Sequence, residues 1–170
     1  MPQIVDKSDR LIIRLTQEDD IEYVIAAERE EDNAQYVGQW TKEQHINALT
    51  QKDNMHLIFE AKDTARPVGY AIIAGLENSD GSIELRRIVI TDKGKGFGRE
   101  SLKLIKKIVF EQLECHRLWL DLRYKNLRAQ NLYQSEGFTR EGVLRECIFY
   151  NGNYESLIVM SILKNEFNNF

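Results

Sequence analysis

The sequence predicts an α+β fold, a mixed and mostly antiparallel sheet with one parallel strand pair and helices packed around it. Three observations carry this expectation. Apolar runs of strand length recur along the chain, several joined by short turn clusters, as antiparallel neighbours require. Between Ile83 and Leu122 a strand, an amphipathic helix and a second strand follow one another. That βαβ order makes its two strands parallel, with a right-handed crossover. Near the C-terminus, Asn151-Gly152 separates two further strand-like runs, a strong hairpin signal.

Taken in order, Leu11 to Leu15 reads as a short strand. Thr16-x-x-Asp19 opens a helix whose acidic first turn suits the helix dipole, with Ile21, Val24, Ile25 and Ala27 on one stripe. The acidic run Glu28 to Asp32 ends it. Thr41 and Gln44 have capping-box spacing and start a second helix through about Leu49. Met55 to Ala61 and Val68 to Ile73 are strands joined around Arg66-Pro67, and Asn78 to Gly81 is a turn cluster. Ile83 to Ile90 is the next strand. Arg99 to Gln112 is a helix with Leu102, Ile105, Ile108, Val109 and Leu113 at helical spacing. Arg117 to Leu122 is a strand, and Asn126 to Glu136 a short helix stopped by Gly137. Val143 to Phe149 and Tyr154 to Leu163 form the hairpin, and Asn165 to Phe170 are expected to fray.

Length and composition narrow the function. A chain of 170 residues, 42% hydrophobic and 29% charged, fits one globular domain over residues 1–170 with a real core. A net charge of −4 argues against a nucleic-acid footprint, which needs a basic face. Cys115 and Cys147 have neither disulfide nor metal-ligand spacing, and His45, His56 and His116 are scattered, so no metal is expected. The polar N-terminus has no signal-peptide core, and no stretch is long enough to span a membrane, so the expected location is the cytoplasm.

Two segments carry the chemistry. Lys93-Gly94-Lys95-Gly96-Phe97-Gly98 lies between a strand and a helix. Its alternating glycines remove the Cβ atoms that would block close approach. Backbone N–H groups can then converge on an anion, helped by the helix N-terminus and by Lys93, Lys95 and Arg99. A plain strand-to-helix turn with solvated lysines has the same composition. The dinucleotide fingerprint needs GxGxxG, and the nucleoside-triphosphate loop needs Lys-Ser/Thr where this chain has Arg99-Glu100, so neither fits. The second segment is Asn126-x-x-Ala129-x-x-Leu132-Tyr133-x-x-x-Gly137-Phe138. Asn126 can cap the helix it precedes. Tyr133, two turns on, shares its face. Together the segments suggest transfer of a group from a phosphate-bearing carrier.

In this order, and between these strands, the two segments resemble the GNAT superfamily of N-acetyltransferases. The superfamily's acyl-coenzyme A loop reads Gln/Arg-x-x-Gly-x-Gly/Ala, and Lys93-x-x-Gly96-x-Gly98 matches it with lysine first. The later motif matches at every named position. Leu144-Arg145-Glu146, Asn151-Gly152-x-Tyr154-Glu155 and Met160 to Leu163 look like the tail of the branch related to ribosomal-protein N-acetyltransferases, which usually has Asp in place of Glu155. The resemblance spans roughly the whole chain and is strongest after residue 80.

The resemblance implies a sheet of six to seven strands with about four helices, and a cleft where the strands containing Ile88 and Leu120 splay. Acetyl-coenzyme A would lie there as cosubstrate, with an amine acceptor as the other partner. Its pyrophosphate would sit on the amides of Lys93, Gly94, Lys95, Gly96, Phe97, Gly98 and Arg99. Ile88, Val89 and Ile90 would hold the pantetheine arm, Asn126 and Ala129 would face the coenzyme, and Tyr133 would stand near the sulfur. Family habit also allows a homodimer. On chemical grounds Tyr133 suits a general acid for the leaving thiolate, and Glu84 is the candidate base, with a water chain as the alternative. The short connection Thr91-Asp92-Lys93 could shift this register by one or two residues.

At the acceptor end, Glu28, Glu30, Glu31 and Asp32 precede Tyr36 and Trp40, and acids with aromatics can bind a cationic amine. A solvated helix end beside a core tryptophan would look the same. A polyamine, an aminoglycoside, an amino acid or a protein N-terminus would each suit. A different class keeps the fold without catalysis, as an acyl-coenzyme A sensor or interaction module.

Overall fold

The computed structural model describes residues 1–170. Its strands are β1 (Ile4–Lys7), β2 (Leu11–Leu15), β3 (Asn54–Ala61), β4 (Arg66–Ala74), β5 (Ser82–Ile90), β6 (Arg117–Arg123), β7 (Thr139–Tyr150) and β8 (Asn153–Leu163). They form one sheet in the order β1-β2-β3-β4-β5-β6-β8-β7. Only the β5/β6 pair is parallel. The helices are α1 (Ile21–Arg29), α2 (Glu31–Ala34), α3 (Lys42–Thr50), α4 (Phe97–Lys107), α5 (Leu127–Ser135) and α6 (Lys164–Asn168).

There is thus one strand more than the six to seven expected, and two helices more than four. The extra strand is β1. It is an edge strand that pairs with β2 through its backbone and contributes Val5 alone to the core, so its sequence carries no apolar alternation. The extra helices, α2 and α6, are too short to show a period. α6 occupies the tail expected to fray, and Leu163 N–H donates to Glu166 Oε2 at its start.

The sheet is covered on both faces. A large core joins one face to α4 and α5 through residues such as Leu102, Ile105, Leu118 and Phe138. A smaller one, made of Val24, Ala27, Ile58, Tyr70, Ile72 and Val89, seats α1 on the other. β4 serves both. Ala71 and Ile73 point into the first core and Tyr70 and Ile72 into the second, so its sequence is a continuous apolar run. α4 continues into a wider π turn at Ile108–Gln112, which keeps Ile108 and Val109 buried.

Two devices shape the region where the motifs meet. β5 and β6 pair only at Ser82↔Arg117, Ile83↔Leu118 and Glu84↔Trp119, and then diverge. At that point Ile72↔Arg87 and Ile73↔Leu85 leave Arg86 without a partner on β4. This bulge bends β5 away from β6. Second, the Glu136 carboxylate, 2% exposed, accepts from Arg99 and Lys106 of α4, and Lys106 Nζ also donates to the Glu136 carbonyl at 2.7 Å. The end of α5 is thereby tied to the helix that follows the glycine segment.

Candidate active site

The divergence of β5 from β6 opens a cleft of about 1470 Å³. Beyond Glu84 the β6-facing backbone of β5 has no strand partner, so Ile88, Val89 and Ile90 line the opening with free peptide groups. The glycine segment closes one end. Gly94 and Gly96 have φ of 79° and 82°, a left-handed backbone that side chains other than glycine rarely adopt. Gly96 caps α4, so the first turn at Phe97, Gly98 and Arg99 opens on the cleft. Lys93 and Arg128 reach it without a salt bridge or side-chain hydrogen bond of their own. Burial holds the Lys93 ammonium below its ordinary pKa, and Asp32 opposes that shift.

Asn126, Ala129 and Tyr133 form the α5 wall. Asn126 Oδ1 accepts from Ala129 N–H at 3.1 Å, so the cap fixes the carbonyl and leaves the amide Nδ2 free. Tyr133 is 7% exposed, packs against Phe138, and its hydroxyl has no protein partner. Burial pushes its phenol well above the ordinary pKa, so the group keeps its proton. Glu84 stands at the last rung of the β5/β6 ladder, and Arg86 donates to its carboxylate at 3.1 and 3.2 Å. Tyr36, Trp40 and Asp32 line the far wall.

Three of the expected residues lie elsewhere. Lys95 turns outward to pair with Asp92, while its carbonyl accepts from Arg10. Glu31 is exposed on α2, away from the cleft. Glu28 is only 1% exposed, because α1 rotates it inward. Its carboxylate accepts from Tyr70, from Arg87 at 2.8 Å and from the Trp40 amide at 3.1 Å, and His45 Nε2 lies 3.1 Å away. Burial alone would raise its pKa, but these donors hold it below the carboxylate range. Glu28 is therefore an internal counter-ion, buried out of an acceptor's reach. Arg87 covers one face of Trp40, with its guanidinium 4.1 Å from the ring centre, so that face is also taken.

The fold adds residues that the motifs did not mark: Arg87, Asp121, Arg123, Lys125 and Arg128 also line the cleft. Arg123 and Lys125 pair with Glu155, the position where the ribosomal-type branch usually has Asp. The alternation of Arg117, Trp119, Asp121 and Arg123 with buried Leu118, Leu120 and Leu122 was a sequence signal for a polar face on this strand.

A family model described as the acetyltransferase (GNAT) domain matches residues 10–139. The chain belongs to this family. It is an acyl-coenzyme A-dependent N-acetyltransferase, and acetyl-coenzyme A is its donor, which sets aside the non-catalytic sensor. Among similar proteins, a spermidine N(1)-acetyltransferase of Vibrio cholerae is 29% identical over 119 residues, 69% of each chain. A spermine/spermidine N(1)-acetyltransferase of Bacillus subtilis is 34% identical over 70 residues, 40% of this chain and 46% of that protein. The Vibrio cholerae spermidine N-acetyltransferase structure in complex with CoA and spermine shares the fold, with a TM-score of 0.86 at 22% identity over 95% of this chain and 100% of that one. The cleft of this GNAT acetyltransferase fits its donor: a glycine cradle at a helix N-terminus, two unengaged cations beside it, and an open strand edge leading inward. No cluster of three His, Cys, Asp or Glu side chains could hold a metal ion, and no helix is long and apolar enough to cross a membrane.

Proposed function

We propose that this acetyltransferase moves the acetyl group of acetyl-coenzyme A to a primary amine of a small polycation of the polyamine class, by direct attack in a ternary complex. One observation carries the reading. A single cleft runs from the glycine segment, past the split of β5 from β6 and the Tyr133 phenol, to the wall with Tyr36. The likeness to spermidine and spermine acetyltransferases supports the acceptor class.

In this reading the amides of Lys93 to Arg99 take the pyrophosphate, with Lys93 and Arg128 adding charge. Backbone groups of Ile88 to Ile90 hold the pantetheine arm, and a backbone N–H there stabilises the oxygen that becomes negative during attack. Asn126 Nδ2 and the Ala129 turn steady the arm. The acceptor arrives as an ammonium with a pKa of about 10.4 and gives up a proton to Glu84, directly or through water. Its nitrogen then bonds to the thioester carbon. As the carbon–sulfur bond breaks, Tyr133 protonates the sulfur, and the second proton that the nitrogen sheds in becoming an amide passes through water to the phenolate and restores it. The phenol carries its proton at neutral pH, as a donor must, but burial makes it a weaker acid than a free tyrosine, so its transfer depends on the charge that builds on sulfur. No enzyme-bound acyl intermediate is needed, so neither cysteine takes part.

The test follows coenzyme A release from acetyl-coenzyme A with spermidine, an aminoglycoside, free amino acids and N-terminal peptides, beside direct titration of coenzyme A. Release with spermidine in preference to the others is expected. Release with another acceptor alone overturns the polyamine class, and absence of coenzyme A binding overturns the whole reading.

A further inference from the structure

The charges around the cleft are almost all spoken for. Arg86 pairs with Glu84, Arg87 with Glu28, Arg99 with Glu136, Arg123 and Lys125 with Glu155, and Asp92 with Lys95. Among lining carboxylates, only Asp32 and Asp121 make neither an ion pair nor a hydrogen bond, and the field of Asp32 acts on Lys93. That leaves Asp121.

Its place in the fold is specific. The last β5/β6 rung is Glu84↔Trp119, so Asp121 is the next residue on the Trp119 face of β6, at the mouth of the split. β8 holds it there through the Asp121↔Val159 rung, so its backbone cannot drift. Leu120 and Leu122 point into the core on the other face, which forces the Asp121 side chain to the open side. Protein crowds the carboxylate although solvent reaches it. That burial, with the Glu84 charge nearby, raises its pKa against the pull of Arg123. A carboxylate held in this way, with no protein cation in direct contact, is stabilised by one brought in from solution.

We propose that Asp121 is the specificity residue that anchors the acceptor's cationic nitrogen at the split, beside Glu84 and facing the donor's thioester. This rests on the acceptor being a cationic amine. Asp121 binds the ammonium, while Glu84 remains the group that takes its proton. Because Arg86 already engages Glu84, Asp121 supplies the attraction that Glu84 cannot give in full. An acceptor with a second positive charge gains most, since one nitrogen can rest on Asp121 while another enters the reaction.

The experiment compares wild type, Asp121→Asn and Asp121→Glu on spermidine, on a monoamine and on an N-terminal peptide, with coenzyme A titration for each variant. The expected result for Asp121→Asn is a KM for the cationic acceptor raised roughly 10- to 100-fold, the scale of losing one charge-assisted hydrogen bond, with a much smaller change in kcat. Coenzyme A affinity should hold, which shows that the variant is folded, and Asp121→Glu should recover part of the loss. An unchanged acceptor KM overturns the anchor. A fall in kcat at constant KM also overturns it and makes Asp121 the proton acceptor. If wild type turns over the monoamine or peptide but not spermidine, the polyamine reading fails while Asp121 is still tested on the accepted amine. If no cationic amine is turned over although coenzyme A binds, the anchor itself is refuted.

Discussion

Acidification from about pH 7 to about pH 5 should cost this protein about 2 kcal/mol of stability through one side chain, His56. The ring is 4% exposed on β3 and is hydrogen-bonded through both nitrogens. His45 Nε2 faces Glu28 at 3.1 Å, His56 Nε2 lies 3.2 Å from His45 Nδ1, and Thr16 Oγ1 is 2.8 Å from His56 Nδ1. With the Nε2 proton of His45 facing the nearby Glu28 carboxylate, its Nδ1 accepts from His56. His56 then accepts from the Thr16 hydroxyl. This assignment follows from the network and makes His56 neutral. Burial is the largest cause of its depressed pKa, with His45 and Arg87 adding to it and Glu28 and Asp20 opposing, and the value falls from 6.5 to about 3. Below the unfolded pKa the unfolded chain binds a proton that the folded protein refuses. Stability is therefore full above 6.5 and declines as pH falls toward the folded value, by about 1.4 kcal/mol per pH unit. Glu28 and Asp20 are held below their ordinary values, so their own losses start as pH falls through the ordinary carboxylate range, below this window, and continue toward the lowered folded values. Urea unfolding across this window is the assay. With a slope of about 2 kcal/mol/M, the midpoint should drop by about 1 M between the two conditions. His56→Gln keeps an amide for His45 but cannot titrate. It should be less stable at neutral pH and show a flattened pH dependence. An unaltered slope in His56→Gln would refute the reasoning.

Three further outcomes follow from the geometry. Glu28→Ala strands the buried Arg87 guanidinium together with Tyr70 and His45, and should cost about 3–5 kcal/mol in chemical unfolding, with Glu28→Gln milder. Tyr133→Phe keeps the ring packing and coenzyme A affinity but removes the proton donor. Its kcat should fall by about 10²–10⁴, and an unchanged kcat would mean that the sulfur is protonated from elsewhere. Gly69→Ala puts a Cβ 2.5 Å from the Val89 carbonyl oxygen, where β4 and β5 pair below the cleft. The strands must move apart, at about 1–3 kcal/mol, which a lowered thermal midpoint would record.

Local signals carried much of the fold. The Thr41 and Gln44 pair closes the capping box it promised, with Gln44 N–H donating to Thr41 Oγ1 at 3.2 Å and Thr41 N–H to Gln44 Oε1 at 2.8 Å. The Asn151-Gly152 turn joins β7 to β8, with both residues at positive φ. The strand–helix–strand order gave the parallel pair. Turns, caps and amphipathic faces depend on neighbours a few residues away, so the chain states them openly. β1 escaped notice because backbone pairing, and not side-chain pattern, holds an edge strand. The helical start also lies one residue beyond the expected pair: Gln17 N–H donates to Asp20 Oδ2 at 2.8 Å and opens a 3₁₀ turn at Glu18–Asp20 that leads into α1.

By itself the sequence determined the α+β class, the glycine segment before α4 and the Asn126 and Tyr133 pair on one face of α5. Each is a matter of spacing along the chain. Only the tertiary structure decided which charges are free. Glu28 looked available because it stands in an acidic run, yet the rotation of α1 buries it among His45, Tyr70 and Arg87, residues distant in sequence. Asp121 stands in a strand with no motif to mark it, yet the bulge at Arg86 bends β5 away and leaves that carboxylate at the mouth of the cleft. An ion pair is fixed by distance in space, which the order of residues does not contain.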